Sequence, residues 1–226
     1  LPTPDGDTHI IVDTPSGPLE AQTRIHQGRV QSVAIEMVPS FVYASGRELT
    51  VAGYGTIPVD LVCVGGFFAM VSARAIGIEL IPANSRRLIS LGMAVIEAAN
   101  RALQVSHPLR PEVTTVDVTE FYDDDPVRGG GRSAVIYGEA HMDRSPCGTG
   151  TTAKITLLHH QGKLAPGDIY TNSGPLGTSF EGRIARTVTI GQFEGIVGQV
   201  RGNAQITGIH QFVADDRDPF PQGFLL

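Results

Sequence analysis

The 226-residue sequence is 41% hydrophobic and 18% charged, the composition of a globular chain rather than a disordered one. Seventeen Lys and Arg against 23 Asp and Glu leave a formal net charge of −6. An acidic chain whose basic residues are scattered is a poor electrostatic match for nucleic acid or an anionic membrane surface. The longest uncharged apolar run, residues 61–73, contains Gly65 and Gly66 and falls short of the roughly 20 residues a membrane-spanning helix needs.

No N-terminal stretch has the basic-then-apolar order of a signal peptide. Two cysteines make no disulfide framework, which points to a reducing, cytoplasmic setting. The chain starts at Leu1, and Leu-Pro-Thr-Pro-Asp-Gly-Asp has the composition of a connecting loop, so the sequence is expected to be the back part of a longer protein.

The 27 Gly and 15 Pro predict many turns and a strand-rich fold. Residues 19–25 and 30–38 read as two strands of a hairpin around Gly28; Val33, Ile35 and Met37 alternate with Ala34 and Glu36. Residues 57–64 and 67–73 flank Gly65-Gly66 and are hydrophobic enough to be buried on both faces. Leu88, Leu91, Val95, Ala98 and Ala102 recur at helical spacing and predict a helix over 86–104, capped by Asn84 or Ser85 and stopped before Pro108. A strand is expected over 113–121. A solvated loop should follow through Asp123-Asp124-Asp125-Pro126 and Gly129-Gly130-Gly131. Residues 132–141 read as a strand, and 149–161 as a helix closed by Gly162. Strands are expected again at 179–190, 193–200 and 203–214, before a turn-rich tail. The sum is an α+β chain with two main helices.

One segment carries chemistry: Asp143-Arg144-Ser145-Pro146-Cys147-Gly148-Thr149-Gly150-Thr151-Thr152-Ala153-Lys154, with a strand leading in and a helix leading out. Gly148 and Gly150 permit close approach of the main chain to a ligand. The first N–H groups of the helix have no partner within it and can hold a carboxylate. The same helix end favours a thiolate at Cys147, because helix N-termini lower a cysteine pKa from ~8.5 to ~7.5 or below. Asp143 would bind a cationic group. A carboxylate holder, an ammonium holder and an acid/base group together match an α-amino acid, which presents a carboxylate, an ammonium and a Cα–H. The competing structural reading is a buried cysteine in a glycine-rich turn. A second competitor is the dinucleotide fingerprint Gly148-x-Gly150-x-x-Ala153 with Asp168 as the ribose acid. Residues 142–147 intervene between strand and glycines, however, and Asp168 follows a Pro-Gly turn. His159-His160 close a helix with no further ligand at metal-binding spacing.

Asp-Arg-Ser-Pro-Cys-Gly-Thr-Gly resembles the second active-site motif of the proline racemase family, which includes proline racemases, 4-hydroxyproline epimerases and trans-3-hydroxyproline dehydratases. Val12-Asp13-Thr14-Pro15-Ser16-Gly17, Val38-Pro39-Ser40-Phe41, Gly65-Gly66-Phe67-Phe68-Ala69, His107-Pro108, Gly177-Thr178-x-Phe180-x-Gly182, Ile206-Thr207-Gly208 and Asp218-Pro219-Phe220 resemble it as well. The likeness runs from about Ile10 to the end.

The resemblance implies a diaminopimelate epimerase-like fold of two pseudo-symmetric α/β halves, here one complete half plus the remainder of the other. Approximate divisions are 1–72 for the end of the first half and the crossover strands, 73–200 for the second half, and 201–226 for a C-terminal strand and tail. It implies a two-base racemase or epimerase of proline or 4-hydroxyproline that uses no cofactor and no metal, with a small-molecule partner and room for a homodimer. Cys147 would be one catalytic residue. Gly148, Thr149 and Gly150 would cradle the carboxylate, and Asp143 would contact the ring nitrogen. Tyr137 would wall the pocket, where the family often has Phe, and His141 would join it. The family's first motif, Cys, Ser or Thr before Gly-His-Gly, should precede Val12, and nothing there matches it. Ala52-Gly53-Tyr54-Gly55 imitates it without an acid/base group. Cys63 reads as a core residue, and Cys63-Val64 stands where the family usually has an aromatic. Dehydration of 3-hydroxyproline and a truncated, non-catalytic amino-acid-binding homologue are the alternatives.

Overall fold

The computed structural model describes residues 5–14, 17–125 and 130–223. In chain order the elements are β1 (Gly6–Thr14), β2 (Gly17–His26), β3 (Arg29–Val51), β4 (Gly55–Val64), β5 (Gly66–Ser72), α1 (Ala73–Ile76), a 3-10 turn (Pro82–Asn84), α2 (Ser85–Ala102), β6 (Val116–Asp125), β7 (Gly130–Tyr137), β8 (His141–Met142), α3 (Gly148–His160), β9 (Tyr170–Ser173), β10 (Ser179–Ile190) and β11 (Phe193–Gly202).

All eleven strands belong to one sheet. Its organiser is β3, which pairs with β2 near its start, with β11 in its middle and with β4 near its end. Irregular pairing between Val42 and Arg47 bends β3 away from one neighbour and toward the next. The order β3-β11-β10-β9-β7-β6-β5-β4 thus closes on itself as a ring of eight strands. Within the ring β5–β6 and β7–β9 are parallel and the other pairs antiparallel.

Helix α3 runs inside the ring. It is buried on every side from Gly150 to Leu158 and packs on β3, β4, β7, β10 and β11. An interior helix has no solvent-facing side, so its polar side chains must find partners within the protein. Its threonine hydroxyls are satisfied locally: Thr152 Oγ1 donates to the Gly148 carbonyl at 2.9 Å and Thr156 Oγ1 to the Thr152 carbonyl at 2.7 Å. Gly182 in β10 and Gly198 in β11 make room for it. A β-carbon at Gly182 would lie 2.9 Å from Thr151 Cγ2 and one at Gly198 3.1 Å from Thr152 Cγ2. Helix α2 covers the outer face with Leu88, Leu91 and Val95.

Strand periodicity explains the two apolar layers. Val62, Val64, Phe68 and Met70 face α3's Ala153 and Leu157, whereas Leu61, Cys63, Phe67, Ala69 and Val71 join the layer under α2. Burial of both faces of β4 and β5 is as expected from their sequence.

Three local expectations need correction. Residues 203–214 form no strand: no described strand pairs with them, and Ile206, Ile209 and Phe212 are all more than nine-tenths exposed. Apolar content without a neighbouring ladder does not make a strand. The acidic triplet continues β6 rather than forming a loop, and the charges of its first two residues are paired: Arg74 Nε meets Asp123 Oδ1 at 2.6 Å and Lys154 Nζ meets Asp124 Oδ1 at 2.8 Å. Residues 126–129 lie outside the described residues. The strand expected over 132–141 is cut at Tyr137 by a turn in which Gly138 and Ala140 have positive φ. No described helix is long and apolar enough to cross a membrane.

Candidate active site

Cys147 is the N-cap of α3, at the mouth of the ring, partly buried against the apolar cluster around Ala153 and Leu157. Its backbone is at φ +61°, ψ 121°, a conformation residues with a β-carbon rarely adopt. The preceding loop imposes it. The Ser145 N–H donates to Asp143 Oδ1 at 2.8 Å, and the Cys147 N–H donates to Ser145 Oγ at 3.0 Å. The Gly150 N–H donates to Cys147 Sγ at 3.3 Å, and Thr149 Oγ1 lies 3.3 Å from the same sulfur.

The three amides expected to cradle a ligand therefore divide. That of Gly150 is taken by the sulfur, while those of Gly148 and Thr149 have no acceptor among the described residues. Asp143 uses one carboxylate oxygen in the turn; the other has no partner among the described residues. Tyr137 and His141 face each other as cross-strand partners of β7 and β8, ring centroids 6.2 Å apart and both exposed. No hydrogen bond among the described residues links either to the Cys147 turn.

The charge of the thiol differs from expectation. Burial pushes the Cys147 pKa up to about 11, against the lowering influence of Thr149 and the Gly150 N–H. The helix end acts as expected on the sulfur, but desolvation within the ring outweighs it. Cys63 is fully buried in the layer under α2, and its pKa is pushed up to about 12, again by burial. Asp168 accepts from the Ala165 N–H at 2.8 Å and so closes its own turn. Among the described residues no three His, Cys, Asp or Glu side chains gather as a metal site, and His159 Nδ1 pairs with the Leu164 carbonyl at 2.9 Å.

Three residues around the turn escaped sequence reasoning. Asn172 of β9 is fully buried, and its Nδ2 reaches Ser133 Oγ at 2.8 Å, Thr151 Oγ1 at 3.0 Å and the Pro146 carbonyl at 3.1 Å. Gly174 then passes so close that a β-carbon there would lie 2.9 Å from the Ser145 carbonyl carbon. Glu120 of β6 is fully buried inside the ring, where burial raises its pKa well above the usual carboxylate range and the Lys154 charge opposes the rise. Glu120 stands in step with Val118 along a strand, and an apolar alternation alone gave no reason to single it out.

The family model described as "Proline racemase" matches residues 1–225. The chain belongs to the proline racemase family. This proline racemase family chain is 34% identical to the proline racemase of Clostridioides difficile, covering 100% of this chain and 68% of that protein. It is 33% identical to the 4-hydroxyproline 2-epimerase of Allorhizobium ampelinum, with 97% and 63% covered. Against the trans-3-hydroxy-L-proline dehydratase of Colwellia psychrerythraea the identity is 31%, with 97% and 62% covered. It therefore spans 62–68% of the length of these relatives. The crystal structure of a hydroxyproline epimerase from Agrobacterium vitis with bound trans-4-OH-L-proline superposes with a TM-score of 0.89 at 32% identity, over 99% of this chain and 64% of that one. A predicted epimerase of Pseudomonas aeruginosa, 12% identical with a TM-score of 0.50 over 91% of this chain and 69% of its own, shares the fold alone. The α+β, diaminopimelate epimerase-like fold expected from the sequence is the fold observed.

Proposed function

We propose that this chain supplies one of the two acid/base groups of a cofactor-independent racemase or epimerase that inverts Cα of proline or 4-hydroxyproline. The observation that carries the reading is the Cys147 turn. A half-buried thiol caps an interior helix, two unpaired N–H groups lie beside it, and one oxygen of Asp143 remains open.

The chemistry follows from what each group offers. The Gly148 and Thr149 amides take a substrate carboxylate. Asp143 takes the positively charged ring nitrogen, and Tyr137 and His141 border the ring. Inversion needs proton loss on one face of Cα and gain on the other, because a single fixed base returns the proton to the face it left. With its pKa near 11 in the free site, Cys147 starts as a thiol, ready to protonate a carbanion. A cationic ring nitrogen in the site favours its thiolate for the reverse direction. Cys63 does not supply the second group, since it is buried in the opposite layer. The reading therefore places that group outside these 226 residues. Both cysteines are free thiols, in keeping with a cytoplasmic setting.

The burial of Cys63 also favours a second reading: a homologue that binds amino acids without exchanging Cα–H. Mass-spectrometric deuterium uptake at Cα from D₂O separates the two, using the full gene product with proline, trans-4-hydroxy-L-proline and trans-3-hydroxy-L-proline. Uptake that vanishes in Cys147→Ala is expected. Retained uptake in that variant overturns the role of Cys147, binding without uptake selects the second reading, and loss of water from the 3-hydroxy compound moves the activity to dehydration.

A further inference from the structure

Strand periodicity sends Val118, Glu120, Tyr122 and Asp124 of β6 to the interior of the ring, toward Lys154 of α3. Lys154 Nζ is bound to Asp124 Oδ1 and sits 3.5 Å above the Tyr122 ring. Glu120 has no solvent exposure, and among the described residues neither of its carboxyl oxygens has a hydrogen bond of full geometry, although the Ser133 hydroxyl is near enough to favour its anion. A carboxyl stranded in this way costs stability, so its presence calls for a physical role.

Its position supplies one. A β-carbon built on Gly150 would lie 3.0 Å from Glu120 Oε2 and 3.1 Å from Cys147 Cβ. The carboxyl and the cysteine thus flank the same glycine, the one from inside the ring and the other from its mouth. We propose that the Glu120 carboxyl and the Cys147 thiol share a single negative charge, which makes Glu120 a positioning residue that sets the charge state of Cys147 from behind.

Two desolvated acids this close cannot both ionise readily, since each anion raises the cost of the other. Burial raises both groups, and each lies within electrostatic reach of the other. The surrounding groups leave the competition standing. From α3, Lys154 faces Glu120 but is engaged by Asp124. Tyr122 of β6 and Tyr170 of β9 are held neutral by burial, Asp60 of β4 lies beyond Tyr122, and Asp143 adds negative charge near the thiol. β7 contributes Val135 and the Ser133 hydroxyl, neither of them charged. The pair therefore titrates as a unit. With a proton on Glu120 the thiolate can form; with Glu120 ionised the thiol keeps its proton. The functional meaning of this coupling rests on the acid/base reading of Cys147, but the coupling itself does not.

The test is the pH dependence of Cys147 alkylation by iodoacetamide, read by mass spectrometry on its peptide in the full chain, with buried Cys63 as internal reference. Glu120→Gln keeps the shape and removes the charge; its alkylation midpoint should fall by about one pH unit, about tenfold in rate below the midpoint. An unchanged midpoint in folded Glu120→Gln overturns the proposal. Should that variant not fold, carbon-13 NMR of glutamate carboxyls in the unsubstituted protein decides. One carboxyl should titrate well above the usual glutamate range, and its midpoint should fall once Cys147 is carbamidomethylated. Glutamates that all titrate in the usual range overturn the proposal. Because no readout depends on turnover, failure here is distinct from failure of Cα exchange.

Discussion

The amide of Asn172 donates to the carbonyl of Pro146 at 3.1 Å, one residue before Cys147. The same nitrogen reaches hydroxyls on β7 and in the first turn of α3, so one side chain ties a strand, a helix start and the loop between them. Asn172→Ala removes the amide donor that the buried Pro146 carbonyl and the Ser133 and Thr151 hydroxyls share. A loss of about 1–3 kcal/mol in urea denaturation is expected. Cα deuterium exchange should fall further than the loss of folded protein explains, because the turn that aims the sulfur is released.

The positive φ of Cys147 makes a prediction that reverses the common order of side chains. Both Cys147→Gly and Cys147→Ala remove the sulfur, but only alanine keeps a β-carbon in this conformation. The glycine variant should be the more stable by about 1 kcal/mol, since such backbone strain costs on the order of 1–3 kcal/mol and glycine is free of it. Thermal denaturation of the two variants side by side checks this. Equal stability would mean the turn relaxes when the sulfur is gone.

His107 shapes its own loop as a neutral ring. Its Nδ1 accepts from the N–H groups of Leu109 and Arg110, both at 3.1 Å, and its ring meets Phe41 edge-on. Burial, followed by the Arg110 charge, holds its pKa below the usual histidine value. The unfolded chain therefore takes up this proton first, near pH ~6.5. The stabilisation is complete above that pH and is lost as pH falls toward the lower folded value. Between pH 7 and 5 the urea midpoint should drop more steeply in the unsubstituted protein than in His107→Asn, whose amide oxygen can accept the same N–H groups without titrating.

Gly92 is the point where α2 touches β7. A β-carbon there would lie 2.7 Å from Ile136 Cβ. Gly to Ala inside a helix normally adds about 1 kcal/mol. Here overpacking should reverse the sign, with a net loss of up to ~2 kcal/mol. A lowered thermal midpoint for Gly92→Ala is the expected reading; a raised one would show that the helix can lift off the sheet.

What was legible in the sequence was local. The near-continuous hydrophobicity of β4 and β5 and the helical spacing of Leu88, Leu91 and Val95 follow from which faces are buried. The Asp143–Gly150 turn reads directly from its proline and glycines. What escaped depends on partners distant in the chain. The acidic triplet lies in a strand where Arg74 and Lys154 pair with Asp123 and Asp124. Residues 203–214 carry strand-like apolar content but have no strand to pair with among the described residues. The helix end at Cys147 was visible in the motif, whereas the desolvation that outweighs it comes from strands wrapped around α3. Asn172 sits in a short stretch of Tyr, Thr, Asn and Ser with no periodicity to mark it.

The ring closes through the pairing of β3 with β11, residues 33–41 against residues 195–202. During synthesis the first partner is made well before the second. Until β11 leaves the ribosome, β3 and β10 are open edges and the apolar surface of α3 has incomplete cover. Contacts so far apart in sequence form slowly, and exposed strand edges invite pairing with other chains in the meantime. The nascent chain should therefore depend on chaperones between the synthesis of β3 and that of β11. A stop codon before β11 should yield aggregate rather than a smaller folded protein.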